Sequence, residues 1–164
     1  MPSSDTSISI RHVQASDREA WARMRVALWP EGSLDEHDAE AERFLRGASR
    51  NPLAVLVAHD ARARLVGFAE VSIRSYAEGC ATDHVGFLEG WFVIPEYRRR
   101  GIGRSLVTAA ERWAQSQGCI EFASDALADD ELSALAHRSL GFVEAGIIRC
   151  FRKDLLSEDE AAEQ

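Results

Sequence analysis

Apolar and polar residues alternate over Ile8–Val13, the period-two pattern of a strand with one buried face. Just beyond it, Ser16-Asp17-Arg18-Glu19 has the spacing of a capping box, and Trp21, Met24, Ala27 and Leu28 recur at helical intervals until Pro30 and Gly32. A second helix is predicted over Leu34–Arg46. After Pro52, two β-rich runs, Leu53–His59 and Leu65–Tyr76, flank the polar Asp60–Arg64 and read as a hairpin. Ala77–His84 is a polar loop around Gly79, and Val85–Ile94 is a strongly apolar strand closed by Pro95. Ile102, Leu106, Ala109, Ala110 and Trp113 mark the apolar face of a helix that stops at Gly118. Cys119–Ser124 reads as a short buried strand. Asp129 or Asp130 can cap a helix running to Leu140, stopped by Gly141, and Val143–Lys153 supplies one or two last strands. The predicted order is β-α-α-β-β-β-α-β-α-β-β, with no internal repeat.

Composition narrows what such a chain can do. At 164 residues and 46% hydrophobic, it is sized for one domain, read as 1–156, with an acidic and disordered tail at 157–164. Glu158, Asp159, Glu160 and Glu163 in that tail carry half of the formal charge of −8. The remaining body is mildly acidic, which argues against nucleic acid and suits a cationic partner. Lys153 is the only lysine, so a Walker A loop cannot be written anywhere. Cys80, Cys119 and Cys150 are widely separated, form no CxxC pair and are read as reduced thiols, with no metal site. No signal pattern opens the chain and no apolar run reaches the roughly 20 residues of a membrane span, so a cytoplasmic protein is expected.

The sharpest local feature is Arg98-Arg99-Arg100-Gly101-Ile102-Gly103, lying between a strand and a helix. A glycine turn that opens a helix gathers free backbone N–H groups at the positive end of the helix dipole, which makes an anion cradle. An arginine-rich loop with a helix-starting glycine is the plainer alternative. The turn, with its place in the element order, resembles the cofactor motif of the GCN5-related N-acetyltransferases, Gln/Arg-x-x-Gly-x-Gly/Ala. The resemblance runs from Ile8 to about Lys153. It implies an α/β (α+β) fold with a mixed, mostly antiparallel central sheet, and acetyl-CoA as co-substrate. It also implies cofactor contacts from Phe92 and Val93 on the fourth strand, from Arg98, Arg99, Arg100, Gly101, Ile102, Gly103 and Arg104, and from Asp130.

Further stretches look like the aminoglycoside 6′-N-acetyltransferases: Leu28-Trp29-Pro30, Ser72-Ile73-Arg74, Gly79-Cys80, Phe87-Leu88-Glu89-Gly90, Ala123-Ser124-Asp125 and His137-x-x-Leu140-Gly141-Phe142. Acetylation needs a neutral amine, so a carboxylate must take the ammonium proton. Glu89 is the candidate, because it stands on an otherwise apolar strand just before the cofactor segment; an exposed face or an arginine partner would also account for it. Asp125, at the end of the fifth strand, is placed either to hold a substrate ammonium or to end a strand or cap a helix. Trp29 and Tyr76 are sugar-stacking walls or core residues. Glu31, Asp35, Glu36 and Asp38 add negative charge to the region that covers the acceptor in this family, or form a solvated acidic face. His137 stands where many relatives carry a tyrosine acid; it is either that acid or a packing histidine. A backbone N–H of Phe92 or Val93 is expected to face the developing oxyanion.

The departures from the family concern the acceptor. The loop beginning Ser75-Tyr76 is shorter by a residue, Val143-Glu144-Ala145-Gly146-Ile147 keeps only part of an acidic run, and Phe151 replaces a frequent tyrosine. Two carboxylates that relatives place in the acceptor pocket are thus absent. The sequence therefore supports transfer to the 6′-amine of an aminoglycoside in a ternary complex, with a polyamine or other small amine as the alternative acceptor. A non-catalytic acyl-CoA sensor is a third reading. The resemblance also implies a homodimer joined near Ile147–Lys153.

Overall fold

The computed structural model describes residues 7–155. The tail at 157–164, expected to be disordered, lies outside the described residues. Five strands, β1 (Ser9–His12), β2 (Ala54–His59), β3 (Leu65–Arg74), β4 (Val85–Val93) and β5 (Phe122–Ser124), form one sheet in sequence order. β1 to β4 pair antiparallel, and β5 joins β4 in parallel. β2 and most of β3 are buried along their whole length, as expected of strands covered on both faces.

Four helices cover the sheet: α1 (Arg18–Leu28), α2 (Leu34–Leu45), α3 (Ile102–Ser116) and α4 (Glu131–Ser139). α1 and α2 lie on one face, where Trp21, Met24 and Ala41 pack on Val55, Val57, Leu65 and Phe68. The other face receives α3, whose Ile102, Leu106, Val107 and Ala110 meet Leu56, Val66, Val71 and Leu88. Leu140 and Phe142, which follow α4, pack against that second cluster. The helix starts differ from the sequence expectation. Ser16 falls inside a short 3₁₀ turn before α1, and the buried Asp17 pins the entry by accepting hydrogen bonds from Arg11 and the Gln14 N–H. A Ser/Glu capping box is found at α2, where Ser33 and Glu36 satisfy each other's backbone N–H groups.

Two features of the sheet place the site. Glu70 pairs with Gly90 but Val71 pairs with Leu88, so Glu89 is an extra residue in a β4 bulge. The β4–β5 ladder ends at the pair Leu88 and Ser124, leaving the rest of β4 without a neighbour on that side. One expectation fails here: Val143–Lys153 forms no strand. Its partner edge is the three-residue β5, and Val143, Ile147, Ile148 and Phe151 remain strongly exposed instead of packing on the body.

Candidate active site

The glycine turn at residues 98–103 is a backbone device. Arg99 and Gly101 both have positive φ, 60° and 78°, and the chain then enters α3 with Gly101 as its N-cap. Left-handed residues beside ordinary ones turn successive N–H groups toward one point, and the first turn of α3 adds its own free N–H groups. Open space surrounds Gly101, and its left-handed conformation is the one that favours glycine. A Cβ at Gly103 would meet only Val93, at 4.0 Å. Arg98 folds back, donating from Nε to the Val93 carbonyl at 2.8 Å. The guanidinium of Arg100 lies 4.9 Å from the Tyr97 ring centroid. Ile102 is buried in the core, leaving its backbone alone to face the turn.

β4 leads from this turn back to the bulge at Glu89. Ile94 donates its N–H to Val66, so Phe92, two residues earlier and paired with Phe68, directs its backbone to β3. Trp91 and Val93 direct theirs to the side that β5 leaves open. This corrects the expectation for Phe92, whose N–H is committed to the sheet.

At the bulge, the Glu89 carboxylate is a fixed ion-pair member. Its Oε1 accepts from the Ser72 hydroxyl and from Arg74 Nε (3.0 Å), and its Oε2 accepts from Arg74 Nη2 (2.6 Å). The Arg74 guanidinium lies flat on Phe87, 3.5 Å from the ring centroid. Beside it, Trp29 closes over the bulge. A Cβ on Gly90 would come within 2.4 Å of the Trp29 ring, so only glycine admits that contact.

Trp29 is held from beneath. His37 donates from Nε2 to the Trp29 carbonyl (3.0 Å) and accepts from Arg25 Nε at Nδ1 (3.3 Å). Arg25, itself buried, also pairs with Glu70 and Glu40, and its guanidinium sits 5.0 Å from the Trp29 ring centroid. Trp21 Nε1 donates to the same Glu70 oxygen at 3.0 Å. Burial pushes the Glu70 carboxyl above its ordinary value, against the opposing pull of Arg25 and the Trp21 N–H.

Residues 18–142 match the acetyltransferase (GNAT) family. The chain belongs to that family. Acetyl-CoA is accordingly the co-substrate of this GNAT acetyltransferase. Over 92% of its length it is 48% identical to 99% of an aminoglycoside N(6′)-acetyltransferase type 1 of Klebsiella aerogenes. It is 38% identical to another of that name from Stenotrophomonas maltophilia, covering 90% of this chain and 94% of the relative. Among solved structures it is similar to the aminoglycoside N-acetyltransferase AAC(6′)-Iy in complex with CoA, with TM-score 0.86, 35% identity, and 94% and 100% of the two chains covered. The same enzyme with the bisubstrate analogue CoA-S-monomethyl-acetylneamine gives TM-score 0.83 at 36% identity, covering 92% and 100%.

Several predicted site residues of this acetyltransferase have other work in the fold. Asp130 caps α4 by accepting from the Ser133 N–H at 2.9 Å. Arg104 donates to the Ser139 carbonyl at 2.8 Å, joining α3 to the end of α4. His137 binds the Ser133 carbonyl through Nδ1 (2.7 Å) and the Ser124 hydroxyl through Nε2 (2.9 Å), between Trp91 and Phe142. Both ring nitrogens of His137 are therefore engaged, one with α4 and one with the end of β5. Asp125 is exposed at the C-terminal end of β5. Tyr76 is 65% exposed, with its hydroxyl on Glu78. Of the acidic group near α2, Glu36 serves the capping box and Asp38 pairs with Arg18.

The sequence reading assigned no role to Ser72, Arg74, Arg25, His37 or Glu70. The signal for three of them was present: Glu70, Ser72 and Arg74 alternate with Val71 and Ile73, a polar row on one face of a strand that is otherwise buried. Glu121 was missed as well. Its carboxylate accepts from the N–H groups of Ala81 and Thr82 and fixes the loop after Tyr76, and these bonds hold it below the usual glutamate range.

Proposed function

We propose that this acetyltransferase moves the acetyl group of acetyl-CoA to the 6′-amino group of aminoglycoside antibiotics, by direct attack in a ternary complex, and so confers resistance. The observation that carries this reading is Glu89, a fixed carboxylate at the β4 bulge, beside the open side of β4 and under the Trp29 wall. The names of the relatives supply the aminoglycoside and its 6′ position.

In this reading the turn and the start of α3 hold the diphosphate of the co-substrate, with Arg98, Arg99 and Arg100 adding positive charge. The open backbone groups of Trp91 align its arm, and the Val93 N–H faces the carbonyl oxygen as charge develops there, while the Val93 carbonyl is held by Arg98. Glu89 draws the ammonium proton, directly or through a water, so that the nitrogen lone pair can form the new C–N bond while the C–S bond breaks. The departing sulfur takes its proton from solvent or through Ser124. Trp29 and Tyr76 flank the sugar, and Asp125 binds a second ammonium. No thiol is suited to carry the acetyl group: Cys119 is buried, Cys150 lies on the exposed C-terminal segment, and burial together with Glu121 raises the Cys80 thiol. Initial-rate patterns should therefore intersect, and parallel lines would refute direct transfer.

The shortened loop after Tyr76 and the missing acidic residues favour, as a second acceptor class, a polyamine or other small amine. We also assign a homodimer, because the apolar side chains of Val143, Ile147, Ile148 and Phe151 are strongly exposed and would be covered by a second copy. No described helix is long and apolar enough to cross a membrane, and the place of action proposed is the cytoplasm, which supplies acetyl-CoA. The test is expression in a susceptible host. Protection against drugs with a 6′-amine, and none against those with a 6′-hydroxyl, is the expected result; no protection, with turnover of polyamines alone, would overturn the aminoglycoside reading. Glu89→Gln should lower turnover by roughly 10²–10⁴ while CoA binding persists.

A further inference from the structure

A carboxylate offers four acceptor positions, two on each oxygen. On Glu89 three of them are filled, two on Oε1 by Ser72 and Arg74 Nε and one on Oε2 by Arg74 Nη2. The filling groups are themselves fixed. Ser72 is 3% exposed and stands opposite Phe87 in the β3–β4 register, two residues from Glu89. Arg74 is clamped between the carboxylate and the Phe87 face, so its fork is set by two contacts at once. The bulge adds the last constraint, because it lets Glu89 and Gly90 both face the α1–α2 side, where Trp29 closes over them.

We propose that Ser72 and Arg74 are positioning residues for acetyl transfer. By occupying three acceptor positions of Glu89 they leave one, on Oε2, to receive a single N–H of the acceptor amine, or an O–H of the water between them. The inference rests on the reading of Glu89 as the group that receives the amine's proton. It goes beyond that reading by giving the carboxylate a direction. A freely rotating glutamate can meet an ammonium at any of its lone pairs, whereas this one meets it along one line, on the side away from Arg74. Lysine in place of Arg74 would keep the charge but not the fork, since a point-like ammonium cannot bond both oxygens in one plane.

The experiment uses the full-length protein, acetyl-CoA and a 6′-amino aminoglycoside, comparing Ser72→Ala, Arg74→Gln, Arg74→Lys, Glu89→Gln and the double variant Arg74→Gln/Glu89→Gln. Misplacing a reacting group by about 1 Å costs on the order of 10²-fold. Arg74→Gln is accordingly expected to lower kcat by about ten- to a hundredfold, and Ser72→Ala by about tenfold, with the KM for acetyl-CoA and the melting temperature unchanged. Arg74→Lys should recover little of the loss, and Arg74→Gln should cost nothing further once Glu89 is already Gln. Wild-type kcat in Arg74→Gln, full rescue by Lys, or an undiminished Arg74→Gln loss in the Glu89→Gln background would each overturn the proposal. Should Ser72→Ala or Arg74→Gln lower the melting temperature, the double-variant comparison still decides, because it is read within one background. Wild-type kcat in Glu89→Gln would instead overturn the underlying reading of Glu89, a separate failure with its own signature.

Discussion

The two halves of the site are built in different ways. The proposed cofactor turn is six consecutive residues shaped by backbone torsion, with Arg98 folded back onto Val93. The proposed acceptor face is assembled from groups on β3, β4, α1 and α2 and from Trp29, residues as far apart in the chain as Trp29 and Gly90. A backbone cradle depends on local conformational preference and is insensitive to the rest of the core. A side-chain face depends on every buried partner that holds it, and each partner carries a desolvation cost that only its contacts offset.

That contrast can be broken at four points. The largest effect is expected from Arg25→Leu, which leaves Glu70 buried without its cation and should cost about 3–5 kcal/mol in denaturant unfolding. At temperatures where the variant is folded, acceptor KM should rise while acetyl-CoA binding holds; equal damage to both would show the halves to be one unit. Gly101→Val probes the other side. A β-branched residue at φ 78° is strained by ~1–2 kcal/mol, so acetyl-CoA affinity should fall about tenfold with acceptor KM unchanged. Asp130→Ala should cost ~1 kcal/mol of stability through loss of the α4 cap. A rise in acetyl-CoA KM there would restore the cofactor role that the family resemblance implied.

The smallest effect should come from Glu121. Hydrogen bonds from Ala81 and Thr82 to its carboxylate lower its pKa, so the stabilisation they provide is present above the ordinary glutamate value of 4.5 and is lost as pH falls through the lowered one. Amide exchange at Ala81 and Thr82 should quicken on acidification through that range, beyond the intrinsic pH dependence of exchange. Glu121→Gln should remove the dependence and raise acceptor KM roughly two- to fivefold, the scale of one hydrogen bond.

Most elements were legible because their hydrophobic periodicity is strong. α3 was read from Ile102, Leu106, Ala110 and Trp113, and Gly118, with φ 88°, ends it as a glycine should. The start of α1 was misplaced because Ser16 has the spacing of a cap, whereas the ion pair with Arg11, from the preceding strand, gives that work to Asp17, a contact that helical spacing does not encode. The final strand was misread for a similar reason. Val143–Lys153 has the residue types of a strand, but a strand needs a partner edge, and β5 offers three residues.

The chain's own order of residues determined the acetyltransferase topology, the glycine turn and the prominence of Glu89, because each depends on torsional preference or on a charge within an apolar run. Tertiary structure alone decided that Glu89 sits in a bulge bonded to Ser72 and Arg74, that Phe92 faces β3, and that His137, Arg104 and Asp130 hold α4 in place. Those outcomes depend on register and on which buried polar groups find one another, and both are set only when the sheet and its two helical layers close.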